Sequence, residues 1–272
     1  MANTASNGIT IEYETFGDPM LPTLMLVNGL GSQLINYDVE LCAMFVDRGL
    51  HVVRFDNRDV GLSTKVDSHY LLADMAEDAF GVLDHLGIEQ THIAGMSMGG
   101  MIVQTMAILH PDRVMSMCSV MSRPANDLGP PTPAAIAALM SAPPAQRDAF
   151  IEHSVESQRI IASAGLGNTE ERWRARAAAS FDRCFYPAGR SHQLAAVGAS
   201  PDRRPGLAAL TMPVLVIHGA DDPLITLPGG EATAAAIPGA ELLVIPGMAH
   251  DLPPDTWTTI VGAVVANAAK AR

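Results

Sequence analysis

"GMSMGG" occupies residues 95–100, a serine between two methionines with glycines outside them. It fits G-x-S-x-G, a pattern that is common by chance and gains meaning only from its flanks. Before it stands "THIA" (Thr91–Ala94), a short apolar run that reads as a strand. After it stands "GGMIVQTMAILH" (Gly99–His110), of helical length and stopped by Pro111. A tight turn between strand and helix strains its central residue and lets neighbouring chains pass close by. Gly95 and Gly99 supply that room. Ser97 is then held above a sheet, at the positive end of the next helix, as a candidate nucleophile.

Working outward, the same strand signature recurs. "GITIEYETFG" (8–17) alternates apolar and polar residues before a turn at Asp18-Pro19, and reads as a strand with a hairpin partner. "PTLMLVNGLGS" (22–32), "LHVVRFD" (50–56) and "VMSMCSVMS" (114–122) are compact apolar runs, the pattern of parallel strands buried on both faces. Amphipathic stretches at Tyr37–Arg48 and Leu72–Leu86 lie between them. Strand and helix alternate, which predicts a mostly parallel sheet with helices on both faces. The alternation breaks near Arg123. From there to about Pro205 the chain reads as helices broken by Pro and Gly. Strands return at "PVLVIHG" (213–219) and "AELLVIPG" (240–247), and a helix over Asp255–Ala269 closes the chain. The expected organisation is an α/β core over 1–123 and 206–272, with a helical cap (lid) inserted over 124–205.

A serine hydroxyl is a weak nucleophile without a base, and the base needs an orienting acid. Both are sought in loops leaving the carboxyl ends of later strands. "VIHGADDPLI" carries Asp221 and Asp222, and "VIPGMAHDLPP" carries His250. Asp222 precedes Pro223 in a G-x-x-D-P turn and is favoured as the acid. Asp221 reads as a residue that bonds the turn backbone, and Asp127 in the insertion is a further alternative. His218 lies at a strand's tail and, like His85, His92 and His110, reads as structural. Two backbone amides are expected to stabilise the oxyanion: that of Met98, after the nucleophile, and that of Leu30 in "VNGLGS", where Gly29 and Gly31 permit a close fold. Met121 near the elbow, with Phe150, Trp173 and Phe185 of the insertion, are the candidate substrate-binding residues. Phe181 and Tyr186 add to that aromatic set, and for most of these aromatics individually packing the lid onto the core is the favoured role.

Composition bounds the alternatives. The chain has 272 residues, 48% of them hydrophobic, enough for a sizeable core. A net charge of −12 argues against a nucleic-acid partner. The start "MANTASNGIT" lacks a cationic, apolar leader, and no stretch nears the roughly 18 apolar residues of a spanning helix. Cys42, Cys118 and Cys184 are few and widely spaced, which fits a reduced cytoplasmic setting and neither a disulfide scaffold nor a zinc site. No metal or organic cofactor is expected. The expected partner is a small-molecule ester, with the chain a monomer or homodimer.

Together these pieces resemble the α/β-hydrolase superfamily. "GMSMGG" is similar to its nucleophile elbow, "VNGLGS" to its oxyanion loop, "PVLVIHGADDPLI" to its acid segment and "IPGMAHDLP" to its histidine loop. "RFDNRDVGLST" (54–64) resembles the block D-x-R-G-x-G-x-S, with Asp59 where glycine is commoner. In that block Arg58 is read as pairing with a carboxylate to hold the loop. Asn28 stands where the oxyanion loop more often begins with His. The pattern looks most like the aclacinomycin methylesterase branch and is similar to enol-lactone hydrolases. The resemblance implies an α/β-hydrolase fold with a mostly parallel eight-stranded sheet. It also implies acyl transfer, since relatives that open epoxides carry aspartate at the position of Ser97. Ester hydrolysis by Ser97, His250 and Asp222 is the expectation. A lactone hydrolase and a cofactor-free haloperoxidase or perhydrolase are the alternatives with the same triad, and a ligand receptor on a hydrolase scaffold is the alternative of another class.

Overall fold

The computed structural model describes residues 2–271. Strands β1 (Ala2–Ser6) and β2 (Ile9–Phe16) form an antiparallel hairpin. Its two-residue loop is Asn7-Gly8, both at positive φ (49° and 79°), as a turn matched to strand twist requires. Then follow β3 (Thr23–Val27), β4 (His51–Phe55), β5 (Thr91–Met96), β6 (Val114–Val120), β7 (Val214–Gly219) and β8 (Glu241–Ile245). The strands form one eight-stranded sheet in the order β1-β2-β4-β3-β5-β6-β7-β8. From β4 to β8 all neighbours are parallel; only the β1–β2 and β2–β4 pairs are antiparallel.

The central strands are apolar on both faces because both faces are covered. Every residue of β3 and β4 is buried. Met25, Val27 and Ile93 join the core beneath α2 (Leu72–His85) and α3 (Met98–Leu109). Leu24, Leu26 and Ala94 join the other core, beneath α1 (Val39–Val46) and α10 (Trp257–Ala268). Edge strand β8 is half-exposed, which fits its one covered flank.

Between β6 and β7 lie α4 (Pro133–Met140), α5 (Arg147–Ile161), α6 (Glu170–Arg183), α7 (Pro187–Gly198) and the short α8 (Arg204–Leu207). Thr132 and Thr169 cap α4 and α6, each accepting from the amide three residues on. One helix was not singled out in the sequence: α9 (Leu227–Ala235), whose Gly229-Gly230 pair masks a helical pattern. Gly230 packs there against the His218 ring, where a Cβ would stand 2.4 Å from Nδ1.

Because β3 lies between β4 and β5, the chain reverses its winding direction there. Such a reversal opens a crevice at the carboxyl ends of the strands. The loops that follow β3, β5, β7 and β8 all leave the sheet at that edge. Among the described residues no helix is long and apolar enough to cross a membrane.

Candidate active site

Ser97 follows β5 directly and has φ 56° and ψ −119°, a conformation that a residue with a side chain rarely adopts. Its backbone is pinned from two sides. Its N–H donates to the Val120 carbonyl at 2.9 Å, and its own carbonyl accepts from Ser122 Oγ at 2.8 Å. Glycine is required on both flanks for space. A Cβ at Gly95 would stand 2.1 Å from the Gly99 carbonyl oxygen, and a Cβ at Gly99 2.1 Å from that of Val27. The turn can be this sharp only because these side chains are missing, and it sets Ser97 at the amino end of α3.

Three of the sequence-selected side chains meet here. His250 Nε2 lies 2.9 Å from Ser97 Oγ, and His250 Nδ1 lies 2.7 Å from Asp222 Oδ2. Asp222 and His250 are 4% and 8% exposed, so both lie in a largely dry site. The second Asp222 oxygen accepts from the amides of Leu224 (2.8 Å) and Ile225 (2.9 Å), which locks the carboxylate plane. With the carboxylate accepting from Nδ1–H, the imidazole turns a lone pair at Nε2 towards the serine hydroxyl.

Asp221 is exposed, and its amide bonds the Met248 carbonyl at 3.0 Å. Asp127 is exposed as well. His218 is fully buried, with Nε2 bonded to the Ile225 carbonyl at 2.7 Å and standing 3.6 Å from Asp222. Burial holds its pKa below the usual histidine value, so it stays neutral beside the carboxylate.

The loop after β3 lies against the elbow. A Cβ on Gly29 would be 3.3 Å from Ser97 Cβ and 3.8 Å from its Oγ. Among the described residues neither the Leu30 nor the Met98 amide donates to an acceptor. The neighbouring Gly31 amide does, to Gln193 Oε1 at 2.8 Å. Gln193, on α7 and fully buried, also donates to the Arg58 carbonyl at 2.8 Å, joining this loop to the 54–64 block. Asn28 is fully buried; its carbonyl accepts from Asn57 Nδ2 and its Oδ1 from Asn36 Nδ2. Arg58 forms a bidentate pair with Asp78, at 2.6 and 2.8 Å. Asp56, at 0% exposure, receives the amides of Leu34 and Leu62 and the Arg183 guanidinium of α6 (2.6 Å). Asp59 takes the Tyr70 hydroxyl and His192 of α7.

The candidate substrate-binding residues pack in two places. Met121 is fully buried at φ 42°, packed in the core between the sheet and α10. Phe150 and Phe185 form an aromatic trio with Phe181, with ring centroids 4.8–5.6 Å apart. Trp173 is half-buried on α6. Among the described residues no group of three or more His, Cys, Asp or Glu side chains could hold a metal ion. Gln193, Ser122 and the segment 161–168 contact the site's loops without having been marked in the sequence. Gln193 and Gly31 are 162 positions apart, and neither sits in a spacing that suggests the other.

A family model described as alpha/beta hydrolase fold matches residues 22–255. The chain is similar to a rhodomycin D methylesterase of a Streptomyces species, with 28% identity covering 95% of each chain. It is similar to a 3-oxoadipate enol-lactonase of Acinetobacter baylyi, with 29% identity covering 82% of this chain and 80% of that one. Among solved structures it is similar to the enol-lactonase of Burkholderia xenovorans, with a TM-score of 0.81 at 24% identity over 98% of this chain and 99% of that one.

Proposed function

The chain belongs to the α/β-hydrolase fold family and is a hydrolytic enzyme, and within that family we propose that it cleaves carboxylic esters through an acyl-enzyme on Ser97. The single observation that carries this reading is the unbroken line from Asp222 through His250 to Ser97 Oγ, at 2.7 and 2.9 Å. Ser97 Oγ attacks the ester carbonyl while His250 Nε2 takes its proton. The oxyanion forms against the amides of Leu30 and Met98, each such donor lowering the barrier by on the order of 3 kcal/mol. His250 returns the proton to the leaving alcohol. Water, deprotonated by the same nitrogen, then attacks the acyl carbonyl, and His250 returns that proton to Ser97 Oγ as the acid leaves. Asp222 remains ionised throughout and steadies the imidazolium.

The similarity to a methylesterase supports methyl esters as the first substrate class to examine. The similarity to an enol-lactonase supports a second reading, ring-opening of a lactone by the same three residues. A Ser97→Ala variant assayed on a short-chain nitrophenyl ester tests the assignment. The expected loss in kcat is at least about a thousandfold, and undiminished turnover would overturn it. Methyl esters and lactones offered side to side then separate the two readings.

A further inference from the structure

The loop that carries His250 has little regular structure of its own. It leaves the half-exposed edge strand β8 and runs through turns from Pro246 to Pro253. On one flank the acid loop holds it, since the Met248 carbonyl accepts from the Asp221 amide. On the other flank every residue from 249 to 251 is bonded to one short stretch of the helical insertion. That stretch begins at the last residue of α5 and continues as "SAGLGN" (163–168) before α6.

The bonds are specific. The His250 amide donates to the Ile161 carbonyl at 2.9 Å. Ser163 Oγ accepts from the Ala249 amide at 2.8 Å and donates to Asp251 Oδ1 at 2.6 Å. The Ser163 amide donates to the same Asp251 oxygen at 2.9 Å, and Asn168 Nδ2 donates to the other at 2.6 Å. Further along, the Asp255 amide donates to the Leu166 carbonyl at 3.0 Å. Ser163 is 1% exposed, so its hydroxyl has no water to fall back on.

The backbone of this stretch is unusual. Gly165, Leu166 and Gly167 are consecutively at positive φ, 85°, 53° and 79°. Leucine pays a steric cost there that persists only where surrounding contacts demand it. The demand is visible: a Cβ on Gly167 would stand 2.7 Å from Asp255 Oδ1 and 3.1 Å from Pro254 Cβ. The stretch seats against Pro254 and Asp255, just past the histidine loop, and the Leu166 side chain lies beside Gly247 within it.

We propose that Ser163 is a positioning residue for His250, and that the 161–168 stretch of the insertion fixes where the imidazole stands, together with the end of β7 and the Asp221 loop on the other flank. Asp222 orients the ring through Nδ1, but the backbone that delivers the ring is held by Ile161, Ser163 and Asn168. This rests on the reading of His250 as the base. A displacement of about 1 Å at a reacting group can cost on the order of a hundredfold in rate, so loss of one clamp is read in catalysis.

The test compares Ser163→Ala and Ser163→Thr with the unaltered enzyme. It measures kcat and KM on nitrophenyl acetate and the rate at which a fluorophosphonate labels Ser97, both per folded molecule as fixed by thermal denaturation. Ser163→Ala is expected to lower kcat between about tenfold and a hundredfold, to change KM by less than about twofold, and to slow labelling in the same ratio. Ser163→Thr, which keeps the hydroxyl, restores most of the rate. Full kcat and full labelling in folded Ser163→Ala would overturn the proposal, as would a loss seen in KM alone. Should Ser163→Ala not fold, Asn168→Ala, at the half-buried end of the clamp, decides by the same split between kcat and KM. An unaltered enzyme that neither turns over the ester nor takes the label defeats the reading of the triad itself, which is a separate outcome.

Discussion

Ser97 and Asp222 show how far a residue type constrains chemistry and where direction takes over. A serine in a glycine-flanked turn between strand and helix was legible as a strained elbow residue, the conformation that the proposed nucleophile role calls for. The adjacent aspartates are separated in sequence only by their turn: Asp222, before Pro223 in G-x-x-D-P, is favoured as the acid, and Asp221 as a residue that bonds the turn backbone. In the fold Asp222 points inward to His250 and spends its other oxygen on two amides, whereas Asp221 faces solvent. Asparagine at 222 must place its amide towards either the histidine or those N–H groups, and either choice presents a donor to a donor. Asp222→Asn is therefore expected to lower kcat by about ten-thousandfold, and Asp221→Asn by less than about threefold, both measured on the nitrophenyl ester. The reverse ranking would transfer the role of the acid to Asp221.

At the scale of elements, periodicity carried most of the reading. The buried strands were readable because apolar runs of this length fit a sheet covered on both sides, and α2, α3 and α10 because their flanking Gly and Pro mark their ends. α9 escaped because two glycines lower helical propensity, and they are there to let the helix pass the His218 ring. Spacing cannot report such a close approach. The same reasoning sorts the glycines by their neighbours. Gly99→Ala would press a methyl to 2.1 Å from the Val27 carbonyl and is expected to cost on the order of 3 kcal/mol. Gly198→Ala, at the end of α7 with nothing within 4 Å, is expected to leave stability equal or up to about 1 kcal/mol higher. Urea midpoints of the two variants check both, and equal midpoints would contradict the close-approach account.

Across the described residues, three histidines besides His250 are buried. His51 touches Thr23 Oγ1, His92 touches Ser116 Oγ, and His218 touches the Ile225 carbonyl. Burial lowers the pKa of each below the ordinary 6.5. Below pH 6.5 the unfolded chain therefore binds protons that the native chain does not, so their contribution is full above that value and is lost as pH falls. Each accounts for at most about 1.4 kcal/mol per pH unit. Melting temperatures at about pH 7.5 and about pH 5.5 are expected to differ more in the unaltered chain than in His92→Gln, which keeps a polar group but cannot take the proton. An equal difference would remove His92 from the account.

The insertion belongs to this scale too. In the sequence it was the least informative part, a run of helices with aromatic residues offered as pocket lining. In the fold its charged and polar residues carry the connections: Arg183 to Asp56, Arg172 and Arg176 to Asp38, Gln193 to the loop after β3 and Ser163 to the histidine loop. By itself the sequence determined the sheet-and-helix core, the elbow and the order Ser, Asp, His. These depend on local rules, namely periodicity, turn sterics and residue chemistry, which short stretches obey wherever they lie. The turn before Pro223 favoured Asp222, and only the tertiary structure showed its carboxylate facing the histidine and which stretch of the insertion bonds the histidine loop. Those choices depend on side-chain direction and on contacts between residues 28 to 162 positions apart, for which the linear chain carries no periodic signal.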